Sequence, residues 1–122
     1  MDADLCCLVL DTLNNVMNSE EKSGSERQNL PNDISIQFTE MFIKDNSNLI
    51  LLFDLLDEFE FQTRWSTVKL LNQIIVNQTQ QSQDIILQIP RGVSRLMDLL
   101  NDSREIIRND VKLLREDLFS PN

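Results

Sequence analysis

Carboxylates are the commonest reactive side chains in this 122-residue chain, and Asp57, Glu58 and Glu60 form their tightest knot. Oxygen ligands at that spacing suit a hard cation, and a carboxylate-held metal suits hydrolysis. No Asp-x-Asp-x-Asp-Gly loop frames the knot, however, and a solvated end between two helices accounts for the same residues. Histidine and tyrosine are both absent, which removes every His-based triad, the commonest general base and most zinc sites. Gly24 and Gly92 stand alone and no Gly-Lys-Ser/Thr string occurs, so no phosphate-cradling loop is encoded. The expectation is a protein without catalysis, metal or cofactor.

Binding chemistry is better represented. Arg104, Arg108, Lys112 and Arg115 fall at i, i+4, i+8 and i+11, an arc of ~80° on a helical wheel. Arg91 and Arg95 sit on the segment before them. Such a stripe either docks an acidic surface or is spent within the chain, with Glu105 on Arg108 and Lys112 on Glu116. Trp65, the only tryptophan, is either a core wedge or an exposed anchor for a partner.

The formal charge is −9, a poor match for nucleic acid. Residues 1–60 hold thirteen acids and three bases, whereas 61–122 hold seven acids and eight bases. That asymmetry favours a face for charged protein partners over a catalytic pocket.

The elements that must carry these residues are helices. Few glycines and prolines and many leucines argue for an all-α chain. Leu5, Leu8, Val9, Leu13, Val16 and Met17 predict an opening helix over 4–18. Residues 19–33 are polar and read as a flexible acidic loop. A helix over 34–44 places Phe38, Met41 and Phe42 on one side. After a cap region at Asp45–Asn48 comes a helix over 49–58, so apolar all round that it must pack on several sides. Further helices are predicted over 62–77, 84–89 (after a polar break at Thr79–Ser82), 92–100 and 104–118. The last opens on a D-x-x-E capping spacing at Asp102 and Glu105. Cys6 and Cys7 are neighbours that cannot pair with each other and read as reduced core thiols. No stretch approaches the ~20 apolar residues of a membrane span, and the acidic start lacks a signal peptide's basic region. A soluble cytoplasmic chain is expected.

An internal repeat organises the helices. Asp54-Leu55-Leu56 returns as Asp98-Leu99-Leu100, Arg64 as Arg108 and Phe42-Ile43 as Ile86-Leu87, all at an offset of 44. Val68-Lys69-Leu70-Leu71 returns as Val111-Lys112-Leu113-Leu114 at 43, and Leu13-Asn14-Asn15-Val16 lies over Leu71-Asn72-Gln73-Ile74 at 58. Periods of ~40–47 with two or three helices per unit mark armadillo and HEAT arrays, in which each unit buries its apolar face against the next. The chain therefore reads as the last helix of one repeat (4–18), an inserted loop (19–33) and two repeats (34–77 and 80–118). Asn15, Asn72 and Gln73 fall on the last helices of their units, which line the concave side of such arrays. Two units and a leading helix leave apolar ends open, so self-association or further chain is expected there.

Leu10-Asp11-Thr12-Leu13, Gln37-Phe38-Thr39-Glu40-Met41-Phe42-Ile43-Lys44, Arg64-Trp65 and above all Gly92-Val93-Ser94-Arg95-Leu96-Met97-Asp98-Leu99-Leu100 with Asp102–Asp110 resemble one family. It is the general vesicular transport factor family of Uso-type Golgi tethers, and the similarity covers about 5–114. The resemblance implies a slice of an armadillo-like globular head. It implies tethering of transport vesicles between endoplasmic reticulum and Golgi, with Rab-type GTPases, SNAREs, other golgins or coat proteins as partners. It also implies peripheral association with Golgi and intermediate membranes. The family pattern carries one more residue, a glycine, between Asp110 and Val111, in line with the drop in offset from 44 to 43.

Overall fold

The computed structural model describes residues 3–18 and 34–119, and the predicted loop over 19–33 lies outside them. The described residues are all-α: α1 (Ala3–Met17), α2 (Ile34–Lys44), α3 (Asn46–Leu55), α4 (Phe61–Asn77), α5 (Thr79–Gln88), α6 (Gly92–Asp98), a 3₁₀ turn (Leu99–Asn101) and α7 (Glu105–Leu118). They form two three-helix units, α2–α4 and α5–α7, preceded by α1. The third helices stack side by side, with α4 packed against both α1 and α7. Their inward residues match at the repeat offsets. Leu10, Val68 and Val111 are buried, as are Met17, Ile75 and Leu118, while Leu71 and Leu114 are buried with Leu13 at the edge. The core is one continuous cluster through both units, as expected where no unit can bury its own face.

Several boundaries differ from the pattern reading for local reasons. Thr79–Ser82 is no break. Thr79 Oγ1 donates to the Ile75 carbonyl at 2.8 Å and Ser82 Oγ to the Gln78 carbonyl at 2.6 Å, so these hydroxyls are satisfied inside helical turns and Ser82 is buried. Helix α3 starts three residues early because the Asp45 side chain accepts from the Ser47 N–H at 3.0 Å. The Ser47 hydroxyl, donating to the same carboxylate at 2.7 Å, and then that N–H hold the Asp45 carboxyl below its usual range. The helix buries Leu49, Leu52 and Phe53, with Leu56 buried just beyond its end, but leaves Ile50 and Leu51 exposed, so it is packed on one side only. In α2 the buried stripe is Ser35, Thr39 and Ile43; Phe38 and Phe42 pack at its rim and Met41 is exposed. The register of α2 on α5 is accordingly 43, not 44. Thr39 donates to the Ser35 carbonyl as Ser82 does to Gln78, and Ile43 and Ile86 are both buried.

At the second-to-third-helix connections the 44 register holds. Arg64 Nη1 donates to the Glu58 carbonyl at 3.1 Å, and Arg108 Nη1 donates to the Asp102 carbonyl at 2.6 Å. Each arginine reaches six residues back to grip its own turn. Asp102 therefore does not cap α7 as the spacing suggested. Its carboxylate accepts from the Arg104 N–H at 2.9 Å and takes Arg64 Nε at 2.9 Å, which rivets the second unit to the first. Before α6, Arg91 adopts a left-handed φ of 60° and Gly92 follows. A Cβ on Gly92 would meet Ile89 Cβ at 3.0 Å, so a side chain there would have to push Ile89 back by a few tenths of an ångström.

Candidate functional site

A groove of about 540 Å³ opens along the third helices, lined by Asp11, Asn14, Asn15 and Asn18 of the α1 segment, Lys69, Asn72 and Gln73 of α4, and Asp110 of α7. Helical periodicity creates it. The positions that turn away from the core on α1 recur on α4 at the offset of 58, so Asn14 and Asn15 answer to Asn72 and Gln73. The seams beneath are polar and rigid. Ser66 Oγ donates to Asp11 at 3.1 Å, Asn14 Nδ2 donates to the Ser66 carbonyl at 3.1 Å, and Trp65 Nε1 donates to Asp110 Oδ2 at 2.8 Å. Asn72 differs from its neighbours. Its Oδ1 is buried and has no hydrogen-bond partner among the described residues. A buried acceptor left open costs free energy.

The charged candidates separate into spent and available groups. Arg95 is spent: it donates to Asp57 Oδ2 at 2.6 Å and to Asp54 Oδ1 at 3.2 Å, and the Asp57 bond in particular holds its guanidinium protonated more firmly than usual. Arg108 is half-buried on its carbonyl. Arg104 precedes α7 and lies on the Phe61 ring at 4.2 Å. Lys112 and Arg115 are exposed, and among the described residues no ion pair joins Lys112 to Glu116 or Glu105 to Arg108. By the offset of 43, Lys112 and Arg115 occupy on α7 the places of Lys69 and Asn72 on α4. They continue the groove's ladder toward a basic end. Arg91 is exposed in its turn, apart from these.

Trp65 is half-buried rather than a free anchor. It stacks on Phe61 with centroids 5.7 Å apart and carries Lys69 Nζ at 3.9 Å over its ring. Asp57, Glu58 and Glu60 do not assemble: among the described residues no three His, Cys, Asp or Glu side chains are grouped to hold a metal. Burial leads the effects that push the Cys6 thiol up, the opposite of an activated thiolate. The sequence reading missed Asp11, Asn14, Asn18, Lys69 and Asp110. The 58 and 43 offsets that marked Asn15 and Asn72 could have found Asp11, Asn14 and Lys69 on the same ladder.

No family model matches the chain. It is 47% identical over 123 aligned residues to the general vesicular transport factor of Homo sapiens, covering 99% of this chain and 13% of that protein. The Bos taurus counterpart is 46% identical over the same span. Golgin candidate 6 of Arabidopsis thaliana is 40% identical over 76 residues, which is 62% of this chain and 8% of that protein. No helix among the described residues is long and apolar enough to cross a membrane.

Proposed function

Because the chain belongs to the general vesicular transport factor family, corresponding to a stretch of 13% of the human and bovine members' length, we propose that it is a non-catalytic protein-binding module of a vesicle tether. It acts in endoplasmic reticulum to Golgi and intra-Golgi transport, at the cytoplasmic side of Golgi and intermediate membranes. Its partners are of the Rab GTPase, SNARE, golgin or coat type, and through them it meets the membrane. Recognition is the whole mechanism. Helices already locked together present polar side chains, so little ordering cost falls on binding.

The observation that carries this reading is the polar groove, where Asn72 lies between the amides of Asn15 and Gln73 and which exposed Lys112 and Arg115 continue along α7. A partner segment crossing it would run from carboxylates and amides on α1 to cations on α7. Capture of a panel of GTP- and GDP-loaded Rab proteins tests the reading. Nucleotide-dependent retention supports it, whereas retention indifferent to nucleotide favours a general peptide-binding scaffold. Asn72→Leu separates binding from folding. It removes an unsatisfied acceptor, so thermal stability is expected to hold or rise by up to ~1 kcal/mol. Partner affinity is expected to fall about tenfold in the same protein, as measured by calorimetric titration. Full binding by a folded Asn72→Leu chain would take the groove out of the account.

A further inference from the structure

Phe59 stands 91% exposed in the connection between α3 and α4. An isolated apolar side chain on a surface is ordinary, but this one stands on backbone that the Arg64 grip fixes. Arg64 Nη1 donates to the carbonyls of Glu58 and Phe59, at 3.1 and 2.5 Å, while its Nε and Nη2 are tied to Asp102 of the second unit. Phe59 sits on the edge connection, beside a cleft it shares with Ser103 and Arg104 of the second unit.

The string Glu58-Phe59-Glu60-Phe61 places two aromatics between carboxylates. Phe61 has its cation, the Arg104 guanidinium at 4.2 Å, and Trp65 has Lys69 at 3.9 Å. Phe59 has none among the described residues. Glu58 and Glu60 are exposed and form no ion pair there, while the nearby Asp57 and Asp102 are neutralised by Arg95 and Arg64. The charges left open at the knuckle are therefore two negatives against Arg104 across the cleft. We propose that Phe59, flanked by Glu58 and Glu60, is a docking knuckle for a basic segment of a partner protein. A partner arginine or lysine lies on its ring and pairs with the two glutamates, as Arg104 already lies on Phe61. The backbone that carries the ring is held by Arg64, which lowers the ordering cost of the contact. This surface is separate from the groove and does not depend on it.

Titrating the full chain, ¹⁵N-labelled, with a capped peptide of alternating arginine and glycine should saturably move the amide signals of Glu58, Phe59 and Glu60. Phe59→Leu, which keeps an apolar side chain but loses the ring face, should weaken binding about twofold to fivefold, and Phe59→Tyr should retain it. Glu58→Gln with Glu60→Gln should weaken it roughly tenfold and flatten its salt dependence. All three side chains are exposed, so melting curves should coincide with that of the parent chain. Unchanged affinity in Phe59→Leu and the double variant would overturn the proposal. So would shifts centred on Asp11 and Asp110, or tighter binding of a glutamate–glycine peptide.

Discussion

Leu71→Ala is expected to destabilise the chain by about 3 kcal/mol and to lower its melting temperature by roughly 10 °C. Leu71 is fully buried on α4, the helix packed against both α1 and α7, at the position answered by Leu13 and Leu114. Truncating it removes the transfer free energy of three carbons and leaves a void that two neighbouring helices would have to close at once. Rigid stacked helices relax poorly, so the cavity contribution is retained in large part. The same truncation at exposed Leu113, the residue just before the corresponding core Leu114, should change stability by less than ~0.5 kcal/mol. Chemical denaturation followed by circular dichroism measures both. Equal effects at the two positions would mean that the third helices do not share a core.

Arg64→Leu is expected to cost about 2–3 kcal/mol, because it strands Asp102 in a site where that side chain is only 7% exposed and frees the turn at 58–60. The Arg64→Leu, Asp102→Leu double variant should cost less than the sum of the single variants, with a coupling of about 1 kcal/mol or more. The pair also sets a pH signature. Burial raises the Asp102 pKa, but the Arg104 N–H, the hydrogen bond and charge of Arg64 and the charge of Arg108 together outweigh it and hold the carboxyl below its ordinary 3.8. A carboxylate depressed in the folded state binds protons more readily when unfolded, so its contribution is complete above the ordinary carboxylate value and is lost as pH falls through the depressed one. Acid titration of stability should therefore show a loss below about pH 4 that is missing in Asp102→Asn. An identical acid profile in the two proteins would remove the ion pair from the explanation of the stacking.

The helical class, the faces of α7 and the pairing of units were legible in the sequence because they rest on periodicity. Ile107, Val111, Leu114 and Leu118 recur at helical spacing and are all buried. The Arg64–Arg108 repeat, legible in the sequence only as an offset of 44, falls on two guanidinium grips at equivalent turns. Polarity misled wherever a side chain was satisfied locally. Thr79 and Ser82 look like a break in sequence, yet their hydroxyls close on carbonyls four residues back. Charge misled where the partner was distant in the chain. Arg95 meets Asp54 and Asp57 about forty residues away, and Asp102 meets Arg64 at a separation of 38, so neither pairing leaves a trace in local spacing. Three of the eight residues lining the groove, Asn15, Asn72 and Gln73, were visible as amides on repeated helices. Asp110 was not, because it reaches the groove through Trp65 of a different helix.

Side-chain nuclear Overhauser contacts in the intact 122-residue chain decide the arrangement most simply. Stacked units predict Cys7 and Asn14 against Thr63 and Ser66, and Trp65 against Asp110, with α4 lying between α1 and α7 throughout. Strong contacts running directly from α1 to α7, with α4 displaced from between them, would instead describe a closed bundle and contradict the repeat architecture on which the groove, the knuckle and the functional reading all rest.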